Sequence, residues 1–157
     1  METTQMLESI EKVLKPFAQS FNRPSAERLD AVVKAEDLKA AVKAMVDAKW
    51  LYLSTITGLD IPAPADQPDA EGHIEALYHF CEGEAIATLR VSVPYSHPVF
   101  PSVCEFMPSA TLGERELMEM FGVVVENTPS NERLVLPEDW PQGVYPLRKS
   151  FTGLNKG

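Results

Sequence analysis

The triplet Glu114-Arg115-Glu116 is the group of ionisable side chains best suited by type to acid–base chemistry. On a helix, however, residues two apart do not share a face, and Arg115 stands between the two carboxyls. Catalytic carboxylates must converge on one substrate. The triplet therefore reads as ion pairs that orient a helix and the segment after it. A stand-alone acid–base enzyme using Glu114, Glu116 and Arg115 is the alternative. Glu119, one turn on, reads as a solvated helix residue or a partner contact.

Metal and nucleophile chemistry finds less support. His79 and Cys81 project from one side of a strand, with His73 on the same side. Zinc sites generally take three or four protein ligands, so a packed strand with a hydrogen-bonded histidine is the reading. Cys81 and Cys104 form no C-x-x-C pair and read as free thiols of a reducing compartment. Two cysteines cannot hold an ordinary four-cysteine iron–sulfur cluster. No serine lies in a G-x-S-x-G context, and neither phosphate-cradling glycine pattern occurs. No catalytic, metal or cofactor residue is expected on this chain.

These residues must be positioned by a domain of modest size. The 157 residues suit one compact domain with an arm, and 45% hydrophobic content is enough to bury a core. Met6, Ile10, Val13, Leu14 and Phe17 recur at helical spacing over residues 5–17, with Thr3 or Thr4 as a cap and Pro16 as a stop. Residues 22–25 read as a loop and 29–34 as a short strand. Leu38, Val42, Met45 and Val46 share one face of a helix over 36–48. Residues 50–57 are aromatic and β-branched, as in a strand, and the prolines of 61–72 mark a surface loop. Alternation over 73–81 and 85–93, with Glu82-Gly83 between, predicts a hairpin. The sum is an α+β fold, a small two-layer domain of helices on a mixed sheet over residues 1–95.

A connecting segment, 96–127, follows. A helical turn is expected at 102–107, stopped by Pro108. Thr111-Leu112-Gly113-Glu114 has the capping-box pattern and predicts a helix over 112–121 that Gly122 ends. Residues 128–157 form an extended arm. Its proline-interrupted stretch holds Leu134, Val135, Leu136, Trp140, Val144, Tyr145, Leu147 and Phe151, too apolar for a disordered linker. Each such side chain gains about 1.5–3 kcal/mol on full burial. The receiving surface is either the chain's own domain or another protein.

Charge excludes some partners. A net charge of −9 opposes phosphate and anionic-lipid surfaces, so no nucleic-acid role is expected. No apolar run approaches the ~20 residues of a membrane span. The opening residues lack the basic start and apolar run of a signal peptide, which predicts the cytoplasmic side.

Taken in order, Glu114-Arg115-Glu116, Met120-Phe121-Gly122-Val123, Arg133-Leu134-Val135-Leu136-Pro137-Glu138-Asp139-Trp140 and Pro146-Leu147-Arg148-Lys149 with Phe151 resemble the signature of the thirty-kilodalton subunit family of respiratory complex I. The dense match covers about residues 108–151. Glu119 replaces the family's usual aspartate before Met-Phe-Gly, Thr128 its histidine before a proline, and Ser150 its last acid. The stretch from Trp140 to Pro146 is also longer than usual. These departures look more like relatives in energy-converting, membrane-bound nickel–iron hydrogenases. The resemblance implies a cofactor-free structural subunit of the peripheral arm of such a complex, on the cytoplasmic face of the membrane. It would dock on the large catalytic subunit of complex I, or on that subunit's hydrogenase counterpart, beside iron–sulfur subunits. Clusters and the quinone or nickel–iron site would belong to those partners. The residues implied in docking are Glu114, Arg115, Glu116, Phe121, Gly122, Arg133, Pro137, Asp139, Trp140, Pro146, Leu147, Arg148 and Lys149. A transient assembly adaptor is the further alternative.

Overall fold

A computed structural model describes residues 1–154; the last three positions of the arm lie outside the described residues. Helix α1 (Thr3–Leu14) buries Leu7, Ile10 and Leu14, one stripe at helical spacing. Its cap is Glu2, which forms a reciprocal box with Gln5, so neither Thr3 nor Thr4 does the capping. The helix stops two residues before Pro16, whose ring and missing N–H oppose continuation.

Strand β1 (Ala18–Ser25) runs through the stretch expected to be a loop. Its polar residues hid it, because an edge strand solvated on most positions need not alternate. β2 (Arg28–Val33) follows, then α2 (Ala35–Asp47), which buries Leu38, Ala41, Val42 and Met45. β3 (Tyr52–Ile61), β4 (His73–Glu82) and β5 (Ala85–Pro94) complete a sheet of order β1-β2-β5-β4-β3. Only β2 and β5 pair in parallel; the other neighbours are antiparallel.

The hairpin register places Ile74, Ala76, Tyr78 and Phe80 opposite Val93, Val91, Leu89 and Ala87, and all eight are buried. Helices α1 and α2 cover this face together with α3 (Thr111–Phe121). A Cβ added at Gly58 of β3 would stand 2.3 Å from a ring carbon of Phe121, so glycine is what lets α3 approach the sheet. The opposite face is a cross-strand polar ladder. Arg90 pairs with Asp30 at 3.2 Å and with Glu75, while His79 sits between Thr57 and Thr88.

Two short parallel strands, β6 (Val99–Pro101) and β7 (Val124–Glu126), tie the connecting segment to the chain beyond α3. Pro108 opens a 3₁₀ turn, Pro108–Ala110, rather than closing one, since a first helical position needs no N–H. Among the described residues no helix is long and apolar enough to cross a membrane.

Candidate functional site

Helix α3 carries the side chains that organise everything after it. Glu114 is 0% exposed. Its carboxylate accepts hydrogen bonds from the Val103 N–H at 2.7 Å, the Ser102 hydroxyl at 2.8 Å, the Thr128 hydroxyl at 2.9 Å and the Cys104 thiol at 3.1 Å. The expected capping box is therefore absent, because Glu114 turns inward and Thr111 donates to the Pro108 carbonyl instead. The expected ion pairs are absent as well: none of the ion pairs among the described residues involves Glu114, Arg115 or Glu116. A buried carboxylate with its lone pairs occupied has no route to a substrate, which removes the acid–base triplet as a reaction centre. Burial, opposed by hydroxyl hydrogen bonds but reinforced by Glu114, pushes the Cys104 thiol up from its ordinary value. Burial also pushes the Tyr78 phenol up, with the nearby Glu114 charge adding to the effect.

Arg115 and Glu119 act on the arm, which is the surface they share. Arg115 donates from Nε to the Glu132 carbonyl at 2.9 Å and from Nη2 to the Arg133 carbonyl at 2.7 Å. Glu119 accepts the N–H groups of Val135 and Leu136, each at 2.9 Å, and more loosely that of Leu134. Burial works to raise the pKa of Glu119, but the three N–H donors and nearby Arg133 outweigh it and hold the carboxyl below its usual range. Carbonyls before the turn thus meet a cation, and amides after it meet an anion.

Farther along, the arm fastens itself and then returns to the domain. Arg133 donates to the carbonyls of Pro137 and Trp140, both at 2.7 Å, and the Trp140 indole donates to the Val144 carbonyl at 2.8 Å. Trp140 and Phe151 pack with ring centres 6.1 Å apart. The Leu147 N–H bonds the Met120 carbonyl at 3.2 Å, and Arg148 Nε bonds the Phe121 carbonyl, so both serve the open C-terminus of α3. Gly122 has φ 71°, and a Cβ there would lie 2.3 Å from the Tyr145 ring. The Lys149 N–H reaches the Asp60 carboxylate at 2.7 Å. Asp60 also accepts from the Tyr95 hydroxyl, whose pKa burial and that bond push up to about 12.

The structure therefore brings Arg115, Phe121, Gly122, Arg133, Pro137, Trp140, Leu147, Arg148 and Lys149 into one fastening between helix and arm, with Pro146 between two of its stations. Glu116 and Asp139 stand exposed outside it. Asp60 and the full part played by Glu119 escape sequence reasoning, since a carboxylate that binds distant amides has no local pattern. The idea of an arm sheltered only by a foreign protein needs correction. Its backbone is held by its own domain, and Leu136 packs against the core. Its outward side chains are another matter: Val135 is 59% exposed, Leu147 51% and Leu134 37%.

The pairing of His79 and Cys81 as ligands also fails. Both ring nitrogens of His79 are engaged, Nδ1 with Thr88 at 2.9 Å and Nε2 with Thr57 at 3.2 Å. Burial first, and then nearby Arg28 and Arg90 against the opposing Asp30, lower its pKa. Among the described residues no cluster of three metal-binding side chains occurs.

Comparison with known proteins converges on one kind of assembly. The sequence profile of the respiratory-chain NADH dehydrogenase 30 kDa subunit matches residues 31–156. Formate hydrogenlyase subunit 5 of Escherichia coli is 35% identical over 127 residues, covering 78% of this chain but only 21% of that protein. The chain thus spans about a fifth of the length of that relative. The membrane-bound hydrogenase subunit beta of Pyrococcus furiosus is 30% identical over 135 residues, 85% of this chain and 75% of that one. In a solved structure, the membrane-bound sulfane sulfur reductase, an archaeal respiratory membrane complex, one chain matches with a TM-score of 0.68 and 26% identity. The match covers 92% of this chain and 84% of that one.

Proposed function

Because the chain belongs to the respiratory-chain NADH dehydrogenase 30 kDa subunit family, we propose that it is a structural subunit of a membrane-bound, ion-translocating oxidoreductase complex. The complex is of the complex I or energy-converting hydrogenase kind. In this reading the chain sits at the membrane periphery, on the cytoplasmic face. It carries no redox centre and docks through its arm on the large catalytic subunit, so that clusters on neighbouring chains stay within electron-transfer range. Its task is positional.

One observation carries the docking role. The arm's main chain is fastened by Arg115, Glu119 and Asp60 while Val135 and Leu147 stay more than half exposed. An extended segment held rigid before binding loses little conformational entropy when it docks. Exposed apolar side chains on such a rigid segment are what a partner's pockets can use. Hydrogenase and sulfane-sulfur-reductase names among the relatives support the hydrogenase side of the pair.

The test leaves the fastening intact. Val135→Glu with Leu147→Glu changes only outward side chains, so the purified chain should melt as the wild type does. Co-purification with the large subunit from solubilised membranes should fall roughly tenfold or more. Wild-type incorporation of the double variant would overturn the docking role. Stoichiometric iron or nickel in the purified chain would overturn the absence of a redox centre.

A further inference from the structure

The two edges of the five-stranded sheet are built differently. β1 has register irregularities between Ala18 and Ser20 and between Asn22 and Ser25, a proline at position 24, and Arg23 paired with Glu11 at 2.7 Å. Bulges, proline and charge are the usual means by which an edge is kept from pairing with another chain. β3, at the other edge, has one irregularity, between Leu53 and Thr55, and no charged residue from Leu51 through Leu59.

This uncharged edge is also open. Among the described residues β4 is the only strand paired with β3, and no loop backbone bonds to residues 51–57. Leu51 and Tyr52 are 59% and 64% exposed, and Ser54 and Thr55 are exposed too. Helix α3 passes under the edge and not beside it. Gly113 lies against Ile56, which points to the core face, and leaves Leu112 57% exposed along the strand. Tyr52 pairs with Cys81 and so belongs to the opposite face.

We propose that the Leu51–Thr57 edge receives an extended segment of another subunit, which adds a sixth strand to the sheet. The proposal rests on the reading of the chain as a subunit. Unpaired N–H and C=O groups along an edge are satisfied best by another main chain in extended conformation. The occupant carries apolar side chains at alternate positions, meeting Tyr52 on one face of the sheet and Leu112 on the other. A second copy of this chain is a poor occupant, because two copies would bring together net charges of −9 each. This contact is separate from the arm and gives the subunit a second, main-chain-directed hold.

Hydrogen exchange on the purified full chain and on the complex isolated from membranes tests it. Amides of residues 51–57 should exchange roughly tenfold more slowly in the complex, while those of β1 change little. Lysine at two exposed positions, Tyr52→Lys with Ser54→Lys, should leave the melting of the isolated chain unchanged and lower its incorporation by a similar factor. Equal exchange of residues 51–57 in both states, with the chain present in the complex, would overturn the edge proposal and leave the subunit reading standing. Absence of the chain from any membrane complex would overturn both. Protection that appears in the isolated chain as its concentration rises would assign the edge to a second copy and overturn the choice of occupant.

Discussion

Glu114 divides its two oxygens among a backbone N–H, two hydroxyls and a thiol, all brought from outside its own helix. It therefore joins β6, α3 and the start of the arm at one buried point. Removing it strands several donors at once, and each buried orphan costs about 1–3 kcal/mol. Glu114→Ala should lower stability to chemical denaturation by roughly 3 kcal/mol or more, and Glu114→Gln, which keeps one acceptor oxygen, by less. Equal losses for the two would show that volume and not hydrogen bonding matters at this position. Glu119 has a different consequence, because its folded pKa is depressed. Its contribution to holding the arm is complete above the unfolded carboxylate value of about 4.3 and is lost as pH falls through the lower folded value. Exchange at the amides of residues 134–136, corrected for intrinsic rate, should accelerate in that acid window and nowhere above it. Glu119→Gln should abolish the acid dependence.

Helix α3 is the element through which these residues act. Its first turn faces the core, its middle holds the arm's amides and carbonyls, and its last carbonyls accept Leu147 and Arg148. Gly122 closes it in the left-handed region and leaves room for Tyr145. Gly122→Ala should destabilise the fold by about 1–2 kcal/mol from backbone strain alone. It should also release the arm near Tyr145, detectable as a new proteolytic cut between residues 141 and 148. A stability change without new cleavage would show that Tyr145 can move aside harmlessly. The helix and its glycine stop were legible in the sequence, since periodicity and a C-terminal glycine are local signals. The direction of Glu114 was not. A Thr-x-x-Glu spacing fits a capping box and an inward-turned carboxylate alike, and only tertiary contacts decide between them. Strand β1 was hidden for a related reason: an edge strand with most positions in water loses the alternation by which strands are read.

At the scale of the molecule, three helices cover one face of a mixed sheet, and the arm is clipped to the end where α3 meets β3. The α+β class and the hairpin followed from patterning, and the family from the motifs between residues 108 and 151. The fastening of the arm did not, because it is made of side chains bonding main-chain groups far away in sequence. Asp60, at the end of β3, holds the Lys149 amide from a position with no motif at all. What remains exposed after that fastening is what a docking subunit needs. Hydroxyl-radical footprinting of Val135, Tyr145 and Leu147 compares these side chains in the isolated chain with the same side chains in the membrane complex. Their reactivity should drop several-fold in the complex while that of exposed Met1 stays the same. Unchanged reactivity at all three in an intact complex would contradict docking through the arm.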